Sequence, residues 1–350
     1  MFTEAMLDVT IKGVGNGQTS IFPCQIFQYK KGVNDKEGTP NYDLFKKAIE
    51  CTSKRLYPNY VNCDWSGDQG YNPDDPRTYP STMGCRTFSA FDINSPDEAH
   101  SHMKDGRGNV APATIILPTL AMEAKKKAEH NQTKATDEFM KILDKAIDDC
   151  VGELVERFNW ICAQNPASAR FMYENKTFFS YGDEFEKEGI RGALKHGTLA
   201  VGQIGLAECL QILLGCDHTE KRGMDFAKKI EQLYFDKCAD YKQKLKLNLG
   251  VYYSPGESLC GTSMKKFKAK YGVIPNVSDH DYFTNSIHVP VWHQISPFDK
   301  IDIESQLTGY SNAGCITYVE LESSVVKNID HRRYHLRPSG MQARIIPCFS

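Results

Sequence analysis

Two long amphipathic stretches, set among short apolar runs, constrain this chain most. In residues 136–162 the apolar positions are Phe139, Leu143, Ile147, Cys150, Leu154 and Phe158, with Thr136 as a candidate cap. In residues 220–246 they are Phe226, Ile230, Tyr234, Cys238, Tyr241 and Leu245. Spacings of three and four put each set on one face of a helix. A shorter stretch begins at Asn41, a candidate cap, and carries Leu44, Phe45, Ala48, Ile49 and Leu56 at the same spacing. The strand-like runs are IFPCQIF at 21–27, VAPATIIL at 110–117, LGVYY at 249–253, IHVPVW at 287–292 and CITYVEL at 315–321. Helices separated by single short strands favour an α/β architecture with a substantially parallel sheet or barrel.

The 350 residues carry 42 Lys and Arg against 44 Asp and Glu, a net charge of -2. That balance leaves no basic excess to neutralise a nucleic-acid backbone, so direct nucleic-acid binding is not expected. With 41% hydrophobic and 25% charged residues the chain has the composition of a globular protein, not of a disordered one. We find no fixed-period repeat and no linker rich in Pro, Gly or Ser, and read one domain over residues 1–330. Residues 331–350 are basic and aperiodic, and we read them as a divergent tail, either disordered or a foreign ending. The most apolar stretch, Gly197 to Cys216, contains Gln203, Glu208 and Gln211, which suits a buried helix and not a bilayer span. The N-terminus lacks the basic-then-apolar pattern of a secretory signal, so the expected compartment is the reducing cytoplasm. The twelve cysteines include no C-x-x-C pair, and we expect most to be packing thiols and no metal site.

Three segments have the residue types of chemistry. In STMGCR, Ser81 to Arg86, the turn-formers Pro73, Asp74, Asp75, Pro76 and Pro80 lead to Gly84 and then Cys85, next to the cation of Arg86. A thiol there suits either a thiolate or a sheltered radical carrier; the plainer alternative is a turn with a buried cysteine. In DGRGN, Asp105 to Asn109, a Gly-rich turn leads into a strand without matching either common nucleotide motif, so a structural turn stands beside a ligand contact through Asn109. In YYSPGESLCG a strand ends and Ser254, Pro255, Gly256, Glu257 and Ser258 turn into a helix. Free amides at a helix start bind phosphate or carboxylate; the alternative is that Ser254 or Ser258 caps the helix. The histidine pairs 100/102, 288/293 and 331/335 give no recognisable metal or triad arrangement.

In this order, TSIFPCQIF, NYDLFKKAIECTSKRLYP, STMGCR, DGRGN, HGTLAVGQIGLAE, YYSPGESLCG, YGVIPNVSDHDYFTNSIHVPV, SPFDKIDIE and SNAGCITYVE resemble the anaerobic (class III) ribonucleoside-triphosphate reductases, a glycyl-radical family. The resemblance runs from about Gly15 to Asp330. It implies a ten-stranded α/β barrel with a cysteine loop inside it, here the central portion only. It also implies an oxidoreductase that makes deoxyribonucleotides for DNA replication. In such enzymes a glycyl radical oxidises the loop cysteine to a thiyl, which takes the ribose 3′ hydrogen of a ribonucleoside triphosphate, and the 2′-hydroxyl leaves as water. By position, Cys85 matches the thiyl cysteine. Met83 and Asn109 match residues of the branch that uses formate as co-substrate. Ser254, Gly256, Glu257 and Ser258 match the turn that meets the substrate phosphates.

The family's four-cysteine zinc site and radical glycine have no counterpart in this sequence, nor does its N-terminal specificity region. We therefore expect a fragment, a split-gene piece or an intein- or intron-interrupted piece, inactive alone. The implied partners are a radical-SAM activase, a complementary reductase fragment and a second copy of the full enzyme, with no membrane. A lyase or dehydratase of the same radical class and a non-catalytic nucleotide-binding module remain the alternatives.

Overall fold

The computed structural model describes residues 1–55, 57–83, 86–129, 131–321 and 342–347. Leu56, His130 and most of 331–350 lie outside them, and so do Gly84 and Cys85. The strands are β1 (Ile26–Tyr29), β2 (Asn59–Asn62), β3 (Thr82–Met83), β4 (Thr87–Phe88), β5 (Asn109–Ile116), β6 (Thr198–Ile204), β7 (Asn248–Tyr252), β8 (Thr317–Leu321) and β9 (Gln342–Pro347). The described residues fall into two compact units.

The first unit comprises Met1–Arg86, Ile295–Gly309 and the described residues from Cys315. Its sheet runs β1-β2-β9-β8, with β1 parallel to β2, β9 antiparallel to β2 and β8 parallel to β9. Helix Tyr42–Lys54 follows Asn41 as expected, and its buried face, Phe45, Ala48, Ile49 and Cys51, packs with Leu7, Phe27, Tyr60, Ile301 and Val319 into one core. Thr52 and Tyr60 share a buried hydroxyl bond of 2.7 Å, which satisfies both groups inside that core. Gln342–Pro347, within the segment read as a divergent tail, forms a strand of this sheet.

The second unit comprises Thr87–Gln294 and Tyr310–Gly314. Its centre is the all-parallel sheet β5-β6-β7. Every residue of β6 is buried, as expected of a strand covered on both faces. The crossover from β5 to β6 contains helices Leu117–Lys127 and Gln132–Cys162, and that from β6 to β7 contains Leu206–Leu214 and Lys221–Leu245. The first long helix buries the expected stripe, and adds Ala135 and Val151; its cap is Asn131, whose side chain accepts from the Lys134 amide, and not Thr136. The second buries Met224, Ala227, Ile230, Tyr234 and Cys238, while Leu245 is exposed, so the buried face drifts from the expected one at both ends.

Two expectations need correction. Gly197–Cys216 is not one helix: β6 ends at Ile204, Gly205 takes a φ of +79°, and helix Leu206–Leu214 begins there. A glycine at positive φ reverses the chain cheaply, and a uniformly apolar run does not distinguish a buried strand from a buried helix. The run 287–292 is not a strand either; Ile287, His288 and Val289 are buried in loop structure, and Pro290 lacks an N–H for a ladder. The mixed α/β class holds, and the described strands form open sheets, not a closed barrel. No helix among the described residues is long and apolar enough to cross a membrane.

Candidate active site

The site residues expected from sequence fall into different places. Cys85 lies outside the described residues. Met83 ends β3 in the first unit, after Asp75 has capped the turn Pro76–Thr78 by accepting from the Arg77 amide at 3.0 Å. Residues Ser81 and Thr82, which lead into Met83, help line a cleft of about 560 Å³ with Gln28, Lys30, Asn34 and Tyr79. Arg86 is buried, and its guanidinium lies over the Tyr318 ring at 5.2 Å and donates to the Tyr318 hydroxyl.

In the second unit, Thr87 is anchored at the C-terminal end of the sheet. It bridges Gly314, and its hydroxyl donates to the Tyr252 hydroxyl at 3.2 Å, while the Phe88 amide donates to the Ala313 carbonyl at 3.2 Å. Residues 311–314 are held against β7 in turn. The Asn312 side chain accepts from the Val251 amide at 2.8 Å, and the Ser311 hydroxyl donates to the Val251 and Gly314 carbonyls at 3.0 and 2.9 Å.

The turn after β7 lies at the same end. The Ser254 hydroxyl is buried and bonded to that of Thr114 on β5 at 2.8 Å. It does not cap the following helix, Glu257–Tyr271, and neither does Ser258; the N-cap position is Gly256, with no side-chain cap bond. Gly256 has a φ of +58°, and a Cβ there would stand 2.0 Å from Asn285 Oδ1 and 2.4 Å from Cys260 Sγ. The Glu257 amide donates to the Pro255 carbonyl at 2.5 Å, whereas the Ser258 amide finds no acceptor among the described residues. An uncapped helix start of this kind presents N–H groups and the positive end of the helix dipole to an anion. Asn285, which sequence reasoning passed over, accepts from the Cys260 thiol at 3.2 Å and bridges Ile204, so it braces the turn from behind.

Asn109 stands at the other end of the same sheet. It opens β5 opposite Thr198, which faces Asn248, whereas Thr114 faces Gly202, which faces Tyr252. Five residues along a strand separate Asn109 from the partner of Ser254, roughly 16 Å at strand rise. The Asn109 Oδ1 is buried with no hydrogen-bond partner among the described residues. Its end of the sheet is closed by an ionic network that the sequence did not suggest. The fully buried His196 meets Asp92 through Nδ1 at 2.7 Å and Glu184 through Nε2 at 2.8 Å. The Asn248 amide donates to Asp92 at 2.8 Å, and Arg107 donates to the His196 carbonyl at 2.7 Å. Burial pushes the Asp92 carboxyl up, but the His196 bond, the Arg107 charge and the Asn248 bond together hold it below its ordinary value.

The described cysteines are all free thiols. Burial raises Cys51 and Cys162 to about 11 and Cys63 and Cys150 to about 12, and it raises Cys209 and Cys238 as well. Such thiols hold their protons at neutral pH and are poor nucleophiles or metal ligands. Among the described residues no group of three His, Cys, Asp or Glu side chains is arranged to hold a metal ion.

Residues 1–334 match the family model described as anaerobic ribonucleoside-triphosphate reductase. The chain is 29% identical over 334 residues to the anaerobic ribonucleoside-triphosphate reductase of Escherichia coli (strain K12), covering 91% of this chain and 43% of that protein. It is 28% identical over 360 residues to that of Enterobacteria phage T4, covering 100% of this chain and 56% of the relative. The chain thus spans about half the length of these relatives. Among solved structures, the Thermotoga maritima anaerobic ribonucleotide reductase with dATP bound in the specificity site superposes with a TM-score of 0.65 at 13% identity, covering 98% of this chain and 50% of that one. The B12-independent glycerol dehydratase from Clostridium butyricum reaches a TM-score of 0.63 at 11% identity, covering 93% and 47%. At these identities the two structures establish a shared fold.

Proposed function

The chain belongs to the anaerobic ribonucleoside-triphosphate reductase family, and from that premise we propose that it supplies the substrate-holding and hydrogen-abstracting core of such an enzyme. The substrate is a ribonucleoside triphosphate and the product its 2′-deoxy counterpart, made anaerobically in the cytoplasm. The observation that carries this reading is the uncapped helix start at Gly256–Ser258, braced by Asn285 and by the Ser254–Thr114 bond. The Ser258 amide is held in place before any ligand arrives, so the anion meets a donor that needs no reorganisation.

In this reading Ser254 fixes the turn, Gly256 gives it the positive φ and the room for Asn285 and Cys260 behind it, and the Ser258 amide and hydroxyl donate to the phosphate oxygens. Glu257 contributes its position at the helix start, not its carboxylate. The stored radical of such enzymes supplies the one-electron chemistry. Cys85 gives up its S–H hydrogen and then takes the ribose 3′ hydrogen, and formate is the reductant. Met83 belongs beside that cysteine. Asn109 stands at the opposite end of the sheet from this turn; its buried carbonyl oxygen lacks a donor among the described residues, and the family resemblance alone carries its role toward ribose or formate. The activase, a complementary fragment and a second subunit are the partners of this reading. It is supported further by a relative solved in complex with dATP and CTP.

The test is equilibrium binding of ribonucleoside triphosphates to the 350-residue chain, followed by turnover after reconstitution with the remaining reductase segments, activase, S-adenosylmethionine and formate. We expect triphosphate binding that falls at least tenfold in Gly256→Val. Cys85→Ser should bind normally and turn over nothing. Absence of triphosphate binding, or turnover by the Cys85→Ser protein, overturns the reading.

A further inference from the structure

A second cleft, of about 320 Å³, lies in the second unit beside helix Leu206–Leu214. Its polar lining comes chiefly from Glu208, Gln211, Asp217, Glu220 and His293, with the indole of Trp292 as an aromatic wall. No lysine or arginine lines it. Glu208 is 1% exposed. One of its oxygens, Oε1, accepts from both the amide and the hydroxyl of Thr284, each at 2.7 Å. The other, Oε2, is buried and has no hydrogen-bond partner among the described residues. Burial raises the Glu208 carboxyl to about 7 against the Thr284 bonds, and the Asp217 charge adds to the rise. Asp217 itself is paired with His293 at 3.0 Å and bonded by Thr219, so its own needs are met.

A buried carboxylate oxygen with no partner is costly and is rarely left so without a ligand or proton to answer it. Here three carboxylates and one histidine line the cleft, and an indole ring lies alongside. That combination selects a cation over an anion, and a flat or alkylated cation over a strongly hydrated one. We propose that this cleft binds an organic cation of the ammonium or guanidinium type, held by Glu208 Oε2 and packed against Trp292. The ligand is either a free amine or the basic side chain of a polypeptide, since the recognised chemistry is the same. None of residues 254–258 lines this cleft, and the proposal does not rest on the reductase reading.

Trp292 provides the measurement. The whole chain is titrated with n-butylammonium and with methylguanidinium, and tryptophan fluorescence is followed, with Trp292→Phe to assign the signal. Saturable change is expected for both cations and none for the neutral isosteres 1-butanol and urea at equal concentration. Glu208→Gln should weaken binding at least tenfold while the circular-dichroism spectrum is retained. Because that variant disturbs the Thr284 bonds, Glu220→Gln serves as a second one, and it should weaken binding several-fold without touching them. N-acetyl-lysine methylamide that binds as tightly as butylammonium assigns the site to a polypeptide side chain; its exclusion assigns it to a free amine. Equal response to the neutral probes, no saturable response, or unchanged affinity in both variants overturns the proposal.

Discussion

The Ser254 hydroxyl occupies the space that a side chain at Gly202 would need: a Cβ on Gly202 would stand 2.0 Å from Ser254 Oγ. Gly202 is the central-strand residue that β5 Thr114 faces in register, so the glycine makes room for the Thr114–Ser254 bond to cross over β6. The absence of one methyl group in the middle strand thereby sets the position of the turn after β7.

The first prediction follows from that contact. Gly202→Ala forces Ser254 out of place and should lower stability by about 1–3 kcal/mol, the usual cost of overpacking. Triphosphate affinity should fall with it. Adding Ser254→Ala removes the colliding oxygen and should recover part of the stability, though the Tyr252 carbonyl at 2.9 Å stays close. Urea melts of the two single variants and the double variant measure the coupling; strict additivity would show that the contact does not hold the turn.

Gly256→Ala tests the turn itself. Its φ of +58° is strained for any side chain, and Asn285 Oδ1 and Cys260 Sγ leave no room for a Cβ. We expect a loss of triphosphate binding larger than the loss from Ser258→Ala, which keeps the backbone amide. Isothermal titration of both variants decides the order.

Breaking the network at the other end of the sheet should act on stability. Asp92→Ala strips the buried His196 Nδ1 of its carboxylate, leaving only Glu184 on Nε2, and removes the negative charge beside Arg107, at a cost of about 3–5 kcal/mol. Because the Asp92 pKa is lowered on folding, its contribution is present above the ordinary carboxylate range and lost as pH falls through the folded value. The wild-type protein should therefore lose more stability than Asp92→Ala in acid, measured by chemical denaturation at a series of pH values.

Glu231 has the opposite sign. It is fully buried in helix Lys221–Leu245, accepts from Gln203, and burial raises it to about 8 against the bonds from Gln203 and Tyr253. A carboxyl that binds its proton more tightly when folded contributes fully below its ordinary value of 4.5, and that contribution is lost as pH rises through about 8. Glu231→Gln should flatten this part of the stability profile and make the protein more stable than wild type by a few kcal/mol in mild alkali, on the order set by the shift. A wild-type slope retained in the variant would place the titrating group elsewhere.

Much of the local architecture was legible in the residues themselves. Helical spacing located Tyr42–Lys54, Gln132–Cys162 and Lys221–Leu245, and the apolar runs located β5, β7 and β8, because periodicity records which side of an element meets the core. Alternation of the two implied parallel pairing. The strand–turn–helix at 254–258 was marked by its small residues, though not the fact that Gly256, and no serine, stands at the cap. What the pattern could not carry was anything fixed by register or by distant partners. A continuous apolar run left β6 hidden inside an expected helix until Gly205 broke it. Asn109 and Ser254 are site candidates of equal standing in the sequence, yet parallel registry sets them at opposite ends of one sheet. His196 meets Asp92 across 104 residues of chain, and Asn285 comes to brace Gly256 by a loop with no motif. Elements and their faces depend on neighbours a few residues away, so residue order was enough to reveal most of them. Which side chains share a site depends on how strands slide into register and on which buried polar groups find partners, and that emerged only in the folded chain.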